Sequence, residues 1–96
     1  MAALKFIPDG KGETARFRFG RWRCYYAIVP DRTGWTVQSE AIRKGYSVTL
    51  YVSEQKRFAD IGDAKNACRI HYDKLDSVRL AVLDRSFNKD EQKARV

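Results

Sequence analysis

The sequence is poor in the residues on which several protein classes depend. Its 96 residues include two cysteines, Cys24 and Cys68, and a single histidine, His71. Two cysteines are too few for the disulfide framework of a small secreted domain, and they stand 44 positions apart, which does not suggest a shared zinc site. We expect both cysteines to be buried thiols, and we expect neither a metal nor another cofactor.

Long apolar segments are also missing. No stretch approaches the roughly 20 apolar residues that a membrane-spanning helix needs. Residues 1–12 lack the apolar run and the small-residue cleavage site of a secretory signal peptide. We therefore expect a cytoplasmic protein that does not enter a membrane.

The sequence contains no recognisable catalytic motif. His71 has no serine or cysteine partner in a known nucleophile motif, and we predict a satisfied histidine at the boundary of the core. The Gly-Lys-Gly sequence at 10–12 lacks the spacing of a phosphate-binding loop. Four aspartates fall toward the two ends of one predicted helix, which is awkward for a metal cluster: Asp60, Asp63, Asp73 and Asp76. The sequence therefore predicts a protein that is not an enzyme.

What the chain has in excess is positive charge, with a net charge of +7. Residues 1–58 contain eleven Lys or Arg against five Asp or Glu, whereas residues 59–96 contain eight against seven. A surplus concentrated in one part of a protein creates a positive field that attracts anions. The simpler interpretation is that the charge only keeps the protein in solution.

The first part of the chain has the period of β-strands. From Thr14 onward apolar and polar side chains alternate, and turn-forming residues interrupt the alternation at 20–21, 30–34 and 43–45. The pattern predicts four strands, the last over 46–53, joined as an antiparallel meander. Residues 8–13 are predicted to form a flexible polar loop.

The period changes after Phe58. Asp60 is a suitable helix N-cap, and side chains on one helical face then recur three and four positions apart: Ile61, Ala64, Cys68, His71, Tyr72 and Leu75. Residues 78–83 fit either a strand or a short second helix, and the polar residues 88–96 are predicted to be disordered. The predicted fold is α+β, a four-stranded antiparallel β-meander with one α-helix packed on one face, in a single domain over residues 1–87.

The sheet face that the helix leaves uncovered carries the most informative residues. If residues 20–21 form a two-residue turn, Arg18 lies opposite Arg23, and Arg16 lies opposite Tyr25. Like charges directly opposite each other destabilise a sheet, and no compensating acid is evident. A phosphate group would supply negative charge in a geometry that suits arginine. We therefore predict an anion-binding patch on this face.

The predicted binding residues extend the patch to neighbouring turns: Arg16, Arg18, Arg21, Arg23, Tyr25, Arg43, Lys44, Tyr51, Lys56 and Arg57. Arginine and tyrosine side chains on an open sheet can contact phosphates and stack on bases. The sequence predicts a binding module, monomeric or homodimeric, whose partner is DNA or RNA, or an acidic surface of a nucleoprotein complex. An ordinary solvated sheet face is the alternative.

One segment adds a resemblance to known proteins. Residues 56–67, Lys-Arg-Phe-Ala-Asp-Ile-Gly-Asp-Ala-Lys-Asn-Ala, resemble the junction of last strand and helix in small domains encoded by phages and prophages. The order of elements over residues 16–76 is similar to that of the arm-type DNA-binding domains of tyrosine recombinases. The resemblance implies a mobile-element origin and DNA contact through the sheet. Phage proteins of this size also include anti-CRISPR proteins, so inhibition of a host nucleic-acid-targeting complex is the alternative function.

Overall fold

The computed structural model describes residues 4–94 and has an α+β fold with an antiparallel sheet. Five strands follow one another in chain order: β1 (Ile7–Asp9), β2 (Gly12–Phe19), β3 (Trp22–Asp31), β4 (Gly34–Arg43) and β5 (Tyr46–Thr49). Two helices come after them, α1 (Ile61–Asp73) and α2 (Ser77–Ala94). The prediction of four strands and one helix was therefore right in class but short by one strand and one helix.

The additional strand, β1, occupies the segment that was predicted to be a flexible loop. Asp9 pairs with Gly12 and Pro8 pairs with Glu13, across a turn in which Gly10 has a φ of +63°. Glycine is favoured at the first central position of a two-residue hairpin turn, here Gly10, and proline is tolerated because β1 lies at the edge of the sheet. The loop prediction was wrong because it gave no weight to this turn signal.

The β2–β3 hairpin has the predicted geometry. Gly20 has a φ of +60°, and Phe19 lies opposite Trp22. A side chain at Gly20 would bring its Cβ within 2.7 Å of a methyl group of Leu80. The position therefore needs glycine for its backbone conformation and for the close approach of α2.

Helix α1 begins at the predicted N-cap. The carboxylate of Asp60 accepts a hydrogen bond from the backbone N–H of Gly62 at 2.9 Å. The helix ends at Asp73, two residues before the end of the predicted apolar stripe.

Helix α2 decides between the alternatives left open for residues 78–83, which are helical. The carboxylate of Asp76 accepts a hydrogen bond from the backbone N–H of Arg79 at 2.9 Å and so caps the first turn. Leu80, Leu83 and Phe87, at spacings of three and four, pack against the core. The helix continues to Ala94, so the prediction of disorder from residue 88 does not hold for 88–94, and residues 95–96 lie outside the described part of the chain.

Both helices cover the same face of the sheet. Helix α1 packs where Tyr26 and Ile28 point inward, and α2 packs where Trp22 and Cys24 do. Both cysteines are buried free thiols, as predicted, and burial raises the pKa of Cys24 to about 11. Among the described residues no helix is long and apolar enough to cross a membrane.

Candidate functional site

The sheet has one covered and one open face, and the covered face is set by the alternation in β3. Trp22, Cys24, Tyr26 and Ile28 are buried under the helices, whereas the residues between them point the other way. We call the second surface the open face. Near the end of the sheet that carries the β2–β3 and β4–β5 turns, the open-face residues of the three central strands are Arg16, Arg18, Arg23, Tyr25, Glu40 and Ile42.

The arginines of the open face have the cross-strand positions that the sequence predicts. Arg18 pairs with Arg23, and Arg16 pairs with Tyr25. Directly opposite side chains in an antiparallel pair have Cβ atoms roughly 5 Å apart. Arg16, Arg18 and Arg23 are all exposed, so their charges are available to a partner.

These arginines have no carboxylate within ion-pair distance in the described part of the chain, where the salt bridges involve other residues. Glu40, the acid at this end of the open face, lies opposite Tyr25 in β4 and accepts a hydrogen bond from its hydroxyl at 2.7 Å. This hydrogen bond, followed by burial and the charge of Glu40, raises the pKa of Tyr25. Glu40 therefore holds the tyrosine and leaves the Arg18–Arg23 pair without a matching negative charge.

Sequence reasoning missed Glu40 as part of this surface. The signal was present in the β3–β4 hairpin, whose turn at 32–33 places Tyr25 opposite Glu40 when the register is counted outward from the turn. The wider turn segment predicted at 30–34 did not define that register.

Two predicted binding residues lie away from the patch and are paired. The Arg43 guanidinium bonds to the Asp84 carboxylate at 3.1 Å and lies 4.1 Å from the centre of the Phe87 ring, on the covered face. Arg57 donates two hydrogen bonds to the Asp31 carboxylate, at 2.9 and 3.1 Å. Both residues have structural contacts that the open-face arginines lack.

Two other predicted residues lie at the hairpin tips. Arg21 is exposed in the β2–β3 turn and Lys44 is exposed in the β4–β5 turn. Alternate hairpins of an antiparallel meander turn at the same end of the sheet. The tips therefore add two positive charges at the end of the sheet where Arg18 and Arg23 lie.

Tyr51 and Lys56 lie in the segment after β5, not on a strand. The predicted last strand continued to Ser53, but β5 ends at Thr49. Tyr51 is 88% exposed, and both residues line a groove of about 500 Å³ beside β4. The structure thus separates the predicted residues into an arginine patch, two hairpin tips, this groove and two paired arginines.

His71 is a satisfied boundary histidine, as predicted. Its Nδ1 lies 2.6 Å from the Tyr26 hydroxyl, and the two rings meet edge to face. Burial, with smaller contributions from Arg79 and Lys74, lowers the pKa of His71. No group of three or more His, Cys, Asp or Glu side chains among residues 4–94 is placed to hold a metal ion.

Comparison of the chain with protein-family models, with curated proteins and with solved structures found no match.

Proposed function

We propose that this protein binds nucleic acid through the open face of its sheet and acts as a binding module without catalysis. The observation that carries the proposal is the Arg18–Arg23 pair, two like charges held opposite each other with no carboxylate partner in the described residues. A polyanion would relieve this repulsion, and arginine suits the geometry of phosphate oxygens.

The surroundings of the pair support the same role. Arg16 extends the positive surface along β2, while Arg21 and Lys44 add exposed charges at the same end of the sheet, beside α2. The covered face, in contrast, pairs its arginine with Asp84. The open face thus carries three exposed arginines that have no carboxylate partner among the described residues.

The proposal predicts a strong dependence of binding on salt. With four or five phosphate contacts, log K against log salt concentration should have a slope near about −4 for a duplex and about −3 for a single strand. Fluorescence anisotropy with labelled 20-nucleotide single strands and duplexes, between 50 and 300 mM salt, measures this slope.

The double variant R18A/R23A should flatten the slope by about two units, since each phosphate contact contributes roughly 0.9. The matched control is R85A/K89A, which removes the same charge from exposed positions of α2. An equal loss of affinity in both variants would show that net charge, and not the open face, attracts nucleic acid. Absence of binding by the wild type at 50 mM salt would refute the proposal and favour an acidic protein partner.

A further inference from the structure

The groove beside β4 arises from a detour of the chain. After β5 the Leu50 N–H donates to the Ser39 carbonyl at 2.9 Å, and the chain then leaves the sheet. It returns at Phe58, which exchanges two backbone hydrogen bonds with Trp35, at 2.7 and 2.8 Å. Residues 51–57 bow outward between these attachments and leave the groove of about 500 Å³.

The groove has an apolar interior and a polar rim. Its apolar lining residues are Val37, Leu50, Val52 and Phe58. Gln38, Glu40 and Thr49 provide polar groups along the rim, and the ring of Tyr51 is almost fully exposed beside them. This combination suits a flat ligand with apolar faces and a polar edge.

A free edge of β4 adds backbone groups to the same groove. The backbone groups of Trp35 and Ser39 point away from β3 and bond to Phe58 and Leu50. Val37 lies midway between them on the strand, so its N–H and C=O point in the same direction, into the groove. Neither group has a hydrogen-bond partner there among residues 4–94. The gap is one residue pair long, which is too short for an added peptide strand but sufficient for a single planar ligand.

The groove is continuous with the arginine patch through one row of side chains. Arg16, Tyr25, Glu40 and Thr49 lie opposite one another on β2, β3, β4 and β5. Adjacent strands are roughly 4.8 Å apart, so β2 and β4 are separated by about 10 Å. A nucleotide with its phosphate near Arg16 can therefore extend its base across Tyr25 toward the groove.

We infer that the groove receives one unstacked nucleobase of a single-stranded nucleic acid whose phosphates lie on the arginines of the open face. This inference rests on the proposed function. Tyr51 stacks on the base at the entrance. Tyr25 bonds to Oε1 of Glu40, so Oε2 is left to accept from an exocyclic amino group. Cytosine, adenine and guanine carry an exocyclic amino group on the Watson–Crick edge, whereas uracil has only a ring N–H there, so the groove prefers the amino-bearing bases.

The test uses single-stranded 12-mers that are abasic throughout or carry one central cytosine or uracil. The cytosine strand should bind the full chain roughly tenfold more tightly than the abasic strand, the order of effect of one stacked base. Y51A should remove this increment and leave the affinity for the abasic strand unchanged. The control V82A, at an exposed position on α2, should change neither the affinity for the cytosine strand nor that for the abasic strand.

Glu40 is tested by the ratio of the affinities for the cytosine and uracil strands. Both strands carry the same phosphate charge, so loss of the Glu40 negative charge alone should change both affinities equally and leave the ratio unchanged. E40Q should bring the ratio close to one while the affinity for the abasic strand rises. An unchanged ratio would overturn the assignment of Glu40.

The outcomes separate this inference from the function on which it rests. Equal affinity for cytosine and abasic strands, with R18A/R23A still weakening both, would overturn the base-binding groove and retain phosphate binding. Failure of every strand to bind would refute the proposed function itself.

Discussion

Arginine side chains have different roles on the two faces of the sheet. Arg43, on the covered face, is bonded to Asp84 and packed on Phe87, and its side chain is only 13% exposed. Arg23, on the open face, is exposed and lies opposite another arginine. Arg43 thus stabilises the fold where α2 supplies an acid, whereas Arg23 remains available to a partner on the face that no helix covers.

The same contrast extends to the other polar groups of the covered face. The Trp22 indole donates to Asp84 at 2.9 Å, and the hydroxyls of Tyr46 and Ser86 lie 2.5 Å apart. In the described residues no buried side-chain nitrogen or oxygen is without a hydrogen-bond partner. Unsatisfied polar groups are costly inside a protein but not at its surface, so the excess charge of the chain is confined to exposed positions.

The largest expected effect comes from removing the side chain on which α2 packs. W22A should lower the free energy of unfolding by about 3–5 kcal/mol, because it leaves a cavity beneath α2 and removes the bond to Asp84. Denaturant unfolding followed by circular dichroism measures the loss. Y51A, at a position that is 88% exposed, should change stability by less than about 0.5 kcal/mol. Similar losses in both variants would contradict the difference between buried and exposed positions.

A direct comparison of the two arginines should give the next largest effect. R43A should cost about 1–2 kcal/mol, because Asp84 and the Phe87 ring lose a charged partner whose own side chain is largely buried. R23A should not destabilise the protein, but it should weaken nucleic-acid binding, which R43A should leave unchanged in the folded protein. Urea unfolding and fluorescence anisotropy, measured on both variants, test whether R43A affects only stability and R23A only binding. A destabilised R23A would contradict this difference.

The partly buried contact between His71 and Tyr26 predicts a smaller effect on stability that depends on pH. The pKa of His71 is lowered in the folded protein, so the unfolded chain binds the proton first as the pH falls. The stabilisation is therefore fully present above the ordinary histidine pKa of about 6.5 and is lost as the pH falls below it. Unfolding at pH 7.5 and pH 5.5 should show this loss in the wild type. H71Q should show less dependence over that interval, and an identical dependence would assign the effect to other groups.

The smallest effect on stability is expected on the open face. R18A should leave stability unchanged or raise it by about 0.2–1 kcal/mol, because one member of a like-charged cross-strand pair is removed. The gain should shrink at high salt as the repulsion is screened. Thermal unfolding at 20 mM and 500 mM salt measures this difference. A stability loss at low salt would mean that Arg18 has a structural partner.

The parts of the site that sequence reasoning predicted are those governed by local rules. The Gly20 turn determines the register of its hairpin, and that register places Arg18 opposite Arg23. The same counting around the turn at 32–33 would have identified Glu40. The roles of Arg43 and Arg57 could not be found in this way, since their partners Asp84 and Asp31 are distant in the sequence.

The two helices show the same difference between features set by local sequence and features set by distant contacts. The Asp60 cap and the apolar stripe of α1 are local signals and were predicted correctly. In α2, Val78, Leu80 and Val82 also fit the alternation of a strand, and the polar residues after Phe87 suggested disorder. Packing of Leu83 and Phe87 against Trp22 favours the helix, and that contact is absent from any local window of sequence.

The sequence by itself determined the strand alternation, the tight turns and the arginine pair, because backbone geometry and side-chain period act over a few neighbouring residues. Only the tertiary structure decided that two helices cover one face, that Asp84 pairs with Arg43, and that the chain leaves a groove beside β4. These features depend on burial and charge pairing between distant residues. The open face takes its character from both levels: its arginines follow from local rules, and its exposure follows from where the helices pack.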